Sequence, residues 1–238
     1  MKNYQAIIFD LDGTLRESNP HFMDALREIL AEKNLSVDEE SWQDTERWVH
    51  AYWAQSPEVI EDFKRYGEKQ IWHRFIARIM DRIGYPHEDD AAVQAFGDHV
   101  REVFQPVSEL TPGTRELLET LQARGYTLGV LSNRGKPFSH ELDDLGIADF
   151  FDFALSAGEV GVWKPNPEIF EAALERAGVG PEQALYVGDN YYADILGAQG
   201  AGLDAILVDW RRAFTDVPGP RVEKILDILP YIENPRET

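Results

Sequence analysis

Short runs of apolar residues alternate along the chain with segments in which apolar residues lie three and four positions apart. Runs of strand length occur at residues 6–9, 127–131, 153–155, 184–187 and 205–208. The spaced segments between them have the period of helices that bury one face. Strands that alternate with helices indicate βαβ units, so the pattern predicts a parallel sheet flanked by helices.

Helix boundaries can be predicted at several places in this pattern. One helix is predicted from Thr114 to Arg124, because Gly125 suits the position just beyond a helix end. Another is predicted from Pro167 to Ala177, with proline at its first position. Near the C-terminus, a last helical stripe is predicted from Val222, Ile225, Leu226 and Leu229.

The stretch after the first strand has a different pattern, which is helical throughout. Asn19-Pro20 predicts a helix start with Asn19 as the N-cap. Helical spacing then persists from about Val37 to Val103, and breaks between helices are predicted at residues 56–57 and 84–86. No alternating pattern typical of a half-buried strand interrupts it. This stretch therefore predicts a bundle of helices.

The predicted fold is a Rossmann-like α/β core, with a central parallel sheet flanked by helices, into which an all-helical domain is inserted. The core is expected to comprise residues 1–15 and 108–238, and the insert residues 16–107. The insert leaves the core directly after the first strand, at the carboxyl edge of the sheet. Open α/β sheets bind their ligands at this edge.

Composition narrows the function classes. The chain has 43 acidic and 23 basic residues, a net charge of −20, which argues against nucleic-acid binding and against docking to anionic membranes. Cysteine is absent, which excludes disulfides, thiolate metal sites and cysteine nucleophiles. We find neither a signal-peptide pattern nor an apolar run of about 20 residues, the length that spans a bilayer. We therefore expect a cytoplasmic protein.

Two pairs of carboxylates follow predicted strands. Asp10 and Asp12 come directly after the first strand, and Gly13 permits a tight turn there. Asp189 and Asp194 follow the strand at 184–187. Carboxylates at one edge of a parallel sheet suit a hard cation, and Mg²⁺ fits best because it takes few carboxylates. The alternatives are an Asx turn at residues 10–13, a helix N-cap at Asp189 and a surface helix residue at Asp194.

Polar residues also follow the strand run at residues 127–131 and precede a later helix. Ser132 and Asn133 end the strand at 127–131, where hydroxyl and amide donors suit a phosphate or another oxyanion. Lys164 precedes Pro165 and the helix that begins at Pro167, so it is placed to meet an anion. A helix cap and a surface lysine are the alternatives for these residues.

The four segments, taken in order, resemble the four motifs of the haloacid dehalogenase (HAD) superfamily. Residues 9–15, Phe-Asp-Leu-Asp-Gly-Thr-Leu, look like the first motif, and residues 130–133, Val-Leu-Ser-Asn, like the second. Lys-Pro-Asn-Pro at 164–167 resembles the third, and residues 187–194 the fourth. The helical insert is similar to the family's helical cap domain of the first class.

The resemblance implies catalytic roles. Asp10 would be the nucleophile that forms an aspartyl-phosphate, and Asp12 would protonate the leaving alcohol and then activate water. Ser132 and Lys164 would hold the phosphoryl oxygens, and Lys164 would also restrain the nucleophile. We expect Asn133 to assist in binding the substrate.

The resemblance also implies a Mg²⁺ site. Asp10 and Asp189 would bind the ion, together with the backbone carbonyl of Asp12. Asp194 would be a further ligand or would support the others. Asp12 also separates two branches of the family, because the dehalogenases, whose halide leaving group needs no proton, lack an acid at that position.

We therefore expect a Mg²⁺-dependent phosphomonoester hydrolase that acts on a small phosphorylated metabolite, as a monomer or homodimer. One alternative is a phosphomutase that uses the same nucleophile on a sugar phosphate. The other is a non-catalytic regulatory or binding module with the same fold. The cap aromatics are expected to form the core of the helical bundle rather than a pocket.

Overall fold

The computed structural model describes residues 4–85 and 89–232. The chain divides into two compact units: Met1–Glu17 with Glu109–Thr238, and Ser18–Ser108. The described residues form eight strands: β1 (Ala6–Phe9), β2 (Arg16–Asn19), β3 (Val107–Leu110), β4 (Thr127–Ser132), β5 (Phe153–Ser156), β6 (Ala184–Gly188), β7 (Asp204–Val208) and β8 (Arg221–Val222). Six of them form one sheet with the order β5-β4-β1-β6-β7-β8, and every pair in it is parallel.

Helices connect these strands. The α-helices are α1 (Phe22–Glu32), α2 (Glu39–Trp53), α3 (Pro57–Arg82), α4 (Asp90–Val103), α5 (Thr114–Arg124), α6 (Ser139–Asp144), α7 (Ala157–Val160), α8 (Pro167–Ala177) and α9 (Leu196–Gly200). Short 3₁₀ segments lie at Ala148–Phe150, Pro181–Gln183 and Ile225–Tyr231, and a π-helical turn at Tyr191–Ile195. The predicted fold class, a parallel sheet flanked by helices, is confirmed.

The central strand β1 is buried on both faces. Ile7 and Phe9 belong to one hydrophobic cluster of the core, and Ala6 and Ile8 to the cluster on the other face. Parallel strands covered by helices on both sides have no polar face, which explains the continuous apolar runs in the sequence. Because exposing these apolar side chains to water costs free energy, their burial stabilises the sheet whose carboxyl edge carries the site.

Two predictions about local structure are wrong. Asn19 is the last residue of β2 rather than a helix N-cap, because β2 pairs with β3 and the residue before a proline favours extended backbone. The first helix instead begins at Phe22, with His21 as its N-cap. Val222 is not helical either, since it pairs with Val208 in the sheet.

The helical unit contains α1 to α4 and has a hydrophobic core of its own. Trp42, Tyr52 and Phe75 are buried in that core, as expected for aromatic residues at helical spacing. The helical pattern is interrupted at a proline and at a glycine. α3 begins at Pro57 with Ser56 as its N-cap, and it bends at Gly67, whose φ is 67°. The predicted break at residues 84–86 lies partly outside the described residues. None of the helices formed by residues 4–85 and 89–232 is long and apolar enough to cross a membrane.

Candidate active site

The register of the sheet brings the predicted site residues to one edge. Phe9 of β1 pairs with Val130 of β4 and with Val187 of β6. The residues that follow these three positions are therefore neighbours at the carboxyl ends of the strands. Asp10, Ser132 with Asn133, and Asp189 all emerge at this edge.

A tight turn follows Asp10 and depends on glycine. Gly13 has a φ of +89°, which residues with a side chain rarely adopt. A Cβ atom at Gly13 would also lie 2.3 Å from Oδ2 of Asp189. Gly13 therefore both permits the turn and leaves the space that the Asp189 carboxylate occupies.

Lys164 lies at the centre of the site, with a side chain that is only 3% exposed. Its Nζ lies 2.6 Å from Oδ1 of Asp10 and 2.7 Å from Oδ1 of Asp194. It also donates to the hydroxyl of Tyr186 at 3.0 Å and to the carbonyl of Leu131 at 3.3 Å. These contacts place the ammonium group between two buried carboxylates.

The Asn133 side chain holds Lys164 in this position. Its Oδ1 accepts from the backbone N–H of Lys164 at 2.7 Å, and its Nδ2 donates to the Lys164 carbonyl at 3.0 Å. This pair of bonds ties the end of β4 to the loop before α8. The amide is thus engaged in positioning Lys164, and its contact with substrate stays a prediction.

Asp194 is fixed by the π-helical turn that contains it. Its Oδ2 accepts from the backbone N–H of Asn190 at 3.0 Å, and its Oδ1 receives Lys164. A Cβ atom at Gly188 would lie 2.4 Å from Oδ2 of Asp194, so this glycine makes room for the carboxylate. Both Asp194 oxygens already have protein partners, which favours a supporting role over direct metal ligation.

Burial dominates the electrostatics of the cluster. It raises the pKa of Asp10 to about 7, although the charge of Lys164 opposes this. Burial and the nearby Asp10 charge also raise the pKa of Asp189 well above its usual range. Burial alone would lower the pKa of Lys164, but the carboxylates of Asp10 and Asp194 raise it well above its usual value.

The donor set at the cluster fits a divalent cation. Oxygen atoms of Asp10, Asp189 and Asp194 all lie within 4.8 Å of one another. The donors are carboxylates, which Mg²⁺ prefers, and the single positive charge of Lys164 does not balance three of them. Oδ2 of Asp10 has no hydrogen-bond partner within the described part of the chain. The cluster therefore has both the ligands and the excess negative charge that a Mg²⁺ site needs.

Asp12 lies apart from this cluster and pairs with two arginines. Arg16 Nε donates to its Oδ1 at 2.6 Å, and Arg134 donates Nε to Oδ2 and Nη2 to Oδ1, both at 2.8 Å. Burial acts to raise the pKa of Asp12, but the Arg134 hydrogen bond and the charge of Arg16 hold that pKa below its usual value. The Asp12 side chain is 40% exposed, so one side remains open to a ligand.

Ser132 lies at the same edge, in the last position of β4. The residue is buried, at 2% exposure, and its hydroxyl makes no hydrogen bond within residues 4–85 and 89–232. A hydroxyl that lacks a protein partner is suited to receive an oxyanion. The role of Ser132 in binding substrate stays a prediction.

Tyr186 was missed by the sequence analysis. It lies within β6, where all five residues are buried, and its hydroxyl lies 3.2 Å from the Leu131 carbonyl and 3.0 Å from Lys164 Nζ. The signal was present, because a tyrosine in an otherwise apolar strand needs a polar partner for its hydroxyl. Tyr186 helps to hold the Lys164 ammonium group between the carboxylates.

Tyr186→Phe is expected to reduce kcat about three- to tenfold, because Lys164 loses one of its acceptors. The free energy of unfolding should fall by about 1 kcal/mol. Steady-state kinetics and urea unfolding measure the two effects. Tyr4→Phe is the matched control, since the Tyr4 hydroxyl donates to Asp204 at 2.6 Å, at the amino-terminal edge of the sheet. This control should lose similar stability yet keep its kcat; equal kcat losses in both variants would contradict the positioning role.

Comparison with known proteins agrees with this geometry. The family model for haloacid dehalogenase-like hydrolases matches residues 4–202. The glyceraldehyde 3-phosphate phosphatase of Pyrococcus abyssi is 30% identical over 246 residues, covering 97% of this chain and 94% of that protein. The enzyme of the same name from Methanothermobacter thermautotrophicus is 45% identical over 114 residues, which cover 48% of this chain and 50% of that protein.

A solved structure shows a similar fold over most of the chain. The 2-haloacid dehalogenase from Pseudomonas syringae pv. Tomato is 30% identical, with a TM-score of 0.53, and the match covers 96% of this chain and 97% of that one. The predicted resemblance and the prediction of an enzyme are both confirmed. With a six-stranded parallel sheet and the four motifs at one edge of it, this chain belongs to the haloacid dehalogenase-like hydrolases.

Proposed function

We propose that this protein is a Mg²⁺-dependent phosphomonoester hydrolase that acts through an aspartyl-phosphate on Asp10. The observation that carries the proposal is that only one of the two Asp10 carboxylate oxygens has a hydrogen-bond partner in the described chain. Lys164 holds Oδ1 at 2.6 Å, whereas Oδ2 has no hydrogen-bond partner in the described chain. One oxygen is thus oriented, and the other is available for attack or ligation.

The proposed reaction has two steps. In the first, an Asp10 oxygen attacks the phosphorus atom, the bond to the ester oxygen breaks, and the protonated form of Asp12 gives a proton to the departing alcohol. Because its two arginine partners hold the pKa of Asp12 below its usual value, this protonated form is a small fraction at neutral pH. In the second, Asp12 takes a proton from water, whose oxygen attacks the same phosphorus atom and releases Asp10 and inorganic phosphate. Ser132 and Lys164 are proposed to contact the phosphoryl oxygens in both steps.

The metal is proposed to bind at Asp10 and Asp189, with the backbone carbonyl of Asp12 as a further ligand. When bound, Mg²⁺ would neutralise charge on the phosphoryl group and on the carboxylates around it. Asp194 would orient Lys164 and the loop at Asn190 rather than contact the ion. Without the cation, the three carboxylates would repel an anionic ester.

Asp12 favours a phosphatase over a dehalogenase. A halide leaves without a proton, whereas an alkoxide leaving group needs one, and Asp12 is the only acid offered by the first motif beyond the nucleophile. The Pyrococcus abyssi relative is named a phosphatase, and the Pseudomonas syringae structure a dehalogenase. The acid at position 12 supports the phosphatase reaction.

The role of the helical unit, the substrate class, the cellular location and the oligomeric state are further parts of the proposal. The helical unit is proposed as the family's cap domain, and the substrate as a small phosphorylated metabolite. A cytoplasmic location and a monomeric or homodimeric state stay predictions. A phosphomutase, which would require a bisphosphate activator, and a non-catalytic module are the alternatives that the experiment below separates.

Removing Mg²⁺ is expected to lower the hydrolysis of p-nitrophenyl phosphate by about 100-fold or more, because the metal supplies several kcal/mol of charge stabilisation. The experiment measures nitrophenol release in protein treated with a chelator, before and after Mg²⁺ is restored. Circular dichroism should confirm that the chelated protein stays folded. Recovery of activity on restoring Mg²⁺ supports the proposal.

Three other outcomes separate the alternatives. Chloride release from 2-chloropropionate without phosphate release would indicate a dehalogenase. Turnover of a sugar phosphate only in the presence of its bisphosphate would indicate a mutase. Folded, Mg²⁺-loaded protein that hydrolyses no phosphate ester would leave the non-catalytic module as the correct interpretation.

A further inference from the structure

The side chain of Trp210 contacts the turn that follows Asp10, although the two lie at different strands of the sheet. Trp210 comes two residues after β7, and β6 separates β7 from β1. Neighbouring strands are about 4.8 Å apart, so the contact crosses two strand spacings, about 10 Å, at the carboxyl edge. The Trp210 Nε1 atom donates to the carbonyl oxygen of Gly13 at 3.2 Å. A residue outside the four motifs therefore binds the backbone of the first one.

The loop that carries Trp210 is closed by a buried carboxylate. Asp209 is 4% exposed, and its two oxygens accept from the backbone N–H groups of Ala213 and Phe214 at 2.8 and 3.0 Å. The backbone N–H of Asp209 donates to the Val222 carbonyl at 2.8 Å, which ties the loop to β8. The indole ring itself packs against one of the two hydrophobic clusters that cover the sheet. Trp210 is thus anchored through both its backbone and its ring.

Gly13 is restrained on both sides by hydrogen bonds. Its N–H donates to the Arg16 carbonyl at 2.7 Å, and its own carbonyl accepts from Trp210. The peptide bond that joins Asp12 to Gly13 is trans and planar, so its C=O and N–H point in opposite directions. Fixing the Gly13 N–H therefore also fixes the direction of the Asp12 carbonyl, the backbone group proposed to bind Mg²⁺.

The restrained glycine also borders the Asp189 carboxylate. A Cβ atom at Gly13 would lie 2.3 Å from Asp189 Oδ2, so the glycine backbone and this carboxylate are immediate neighbours. Glycine has more backbone freedom than any other residue, and the φ of +89° at Gly13 is one of many conformations open to it. A glycine at this place needs bonds from outside the turn to keep one conformation. The Trp210 indole supplies such a bond.

We propose that Trp210 is a positioning residue for the Mg²⁺ site. Its indole N–H fixes the conformation of Gly13, and through it the Asp12 carbonyl and the space beside Asp189. The ion then meets ligands that are already in place, which lowers the ordering cost of binding. This inference rests on the proposed function, because it takes the Asp12 carbonyl and Asp189 as the ligands of the ion.

Trp210→Phe is expected to weaken Mg²⁺ binding about threefold to tenfold, because the variant keeps an aromatic ring but loses the one hydrogen bond to Gly13. Isothermal titration calorimetry of the folded, metal-free protein measures the Kd for Mg²⁺ directly, without any turnover. The Mg²⁺ concentration that gives half-maximal hydrolysis of p-nitrophenyl phosphate should rise by the same factor.

Trp72→Phe is the matched control, because Trp72 makes the same kind of bond in the helical unit. Its Nε1 donates to the carbonyl oxygen of Gly97 at 3.0 Å. Both variants should lose similar stability in metal-free buffer, but Trp72→Phe should bind Mg²⁺ as tightly as the parent protein. If Trp210 contributes packing alone, both variants should keep the parent Kd, and that result would overturn the positioning role.

A second replacement at position 210 provides an independent arm if Trp210→Phe does not fold. The amino acid 3-benzothienylalanine has the two-ring shape of tryptophan, with sulfur in place of the indole N–H, so it removes the donor and keeps the packing. We expect the same weakening of Mg²⁺ binding, and a parent-like Kd would overturn the proposal. Folded parent protein that neither binds Mg²⁺ nor hydrolyses a phosphate ester would instead overturn the proposed function.

Discussion

Asp10→Asn is expected to abolish phosphate release, with a loss in kcat of about 10⁴-fold or more. The amide has the size of the carboxylate but lacks the negative oxygen that attacks phosphorus. Lys164 Nζ, which lies 2.6 Å from Asp10 Oδ1, can still donate to the amide oxygen, so the surrounding contacts are kept. The substitution therefore removes the nucleophile with little change in shape.

The same variant should fold at least as well as the parent protein. Asp10 is 5% exposed and shares the cluster with Asp189 and Asp194, so removing one of three like charges relieves repulsion. We expect its melting temperature in metal-free buffer to be unchanged or higher. Asp227→Asn, the same change at an exposed position, is the control for activity.

Covalent labelling provides the direct readout for this prediction. Parent protein quenched in acid during turnover should gain the mass of one phosphoryl group, and Asp10→Asn should gain none. A variant that retains more than about a tenth of the parent kcat would contradict the nucleophile assignment. A phosphorylated Asp10→Asn protein would point to a different nucleophile.

Lys164→Met is expected to lose both activity and stability. The ammonium group contacts Asp10 and Asp194, whose side chains are 8% and 1% exposed, so its removal leaves buried carboxylates without a counter-ion. Breaking a buried ion pair in this way costs about 3–5 kcal/mol of unfolding free energy. We expect kcat to fall by about 10³-fold, since no ammonium then orients the nucleophile or the phosphoryl oxygens.

The dependence of this variant on Mg²⁺ separates charge from packing. A cation in the cluster supplies the positive charge that methionine lacks, so Mg²⁺ should raise the melting temperature of the variant more than that of the parent. Lys224→Met, at an exposed position of the same unit, should behave as the parent does. Equal Mg²⁺ effects in all three proteins would show that Lys164 acts through packing alone.

Much of the core could be predicted from local pattern. The helices Thr114–Arg124 and Pro167–Ala177 were predicted with the bounds that the structure shows. Both begin and end at residues with strong local preferences, and both bury one face. The predicted strand positions were confirmed for the same reason, because a strand that is covered on both faces must be apolar throughout.

Contacts between distant segments could not be predicted in this way. Arg134 and Asp12 are separated by 122 residues, and Lys164 and Tyr186 by 22, and neither pairing leaves a periodic mark. Val222 was assigned to a helix because its spacing from Ile225 is helical, yet the free edge of β7 captures it. In these three contacts, hydrogen bonds between distant segments determined the structure, and local propensity did not.

The connection between the two units has an evolutionary consequence. The chain leaves the core through β2 and returns through β3, and these strands pair with each other in a small sheet. The two ends of the inserted segment are therefore close in space, as in insertions that a host domain tolerates. Such a segment can be lengthened, shortened or exchanged while β1 and β4 keep their register. Changes to the inserted segment and to the reactive centre can therefore accumulate separately over evolutionary time.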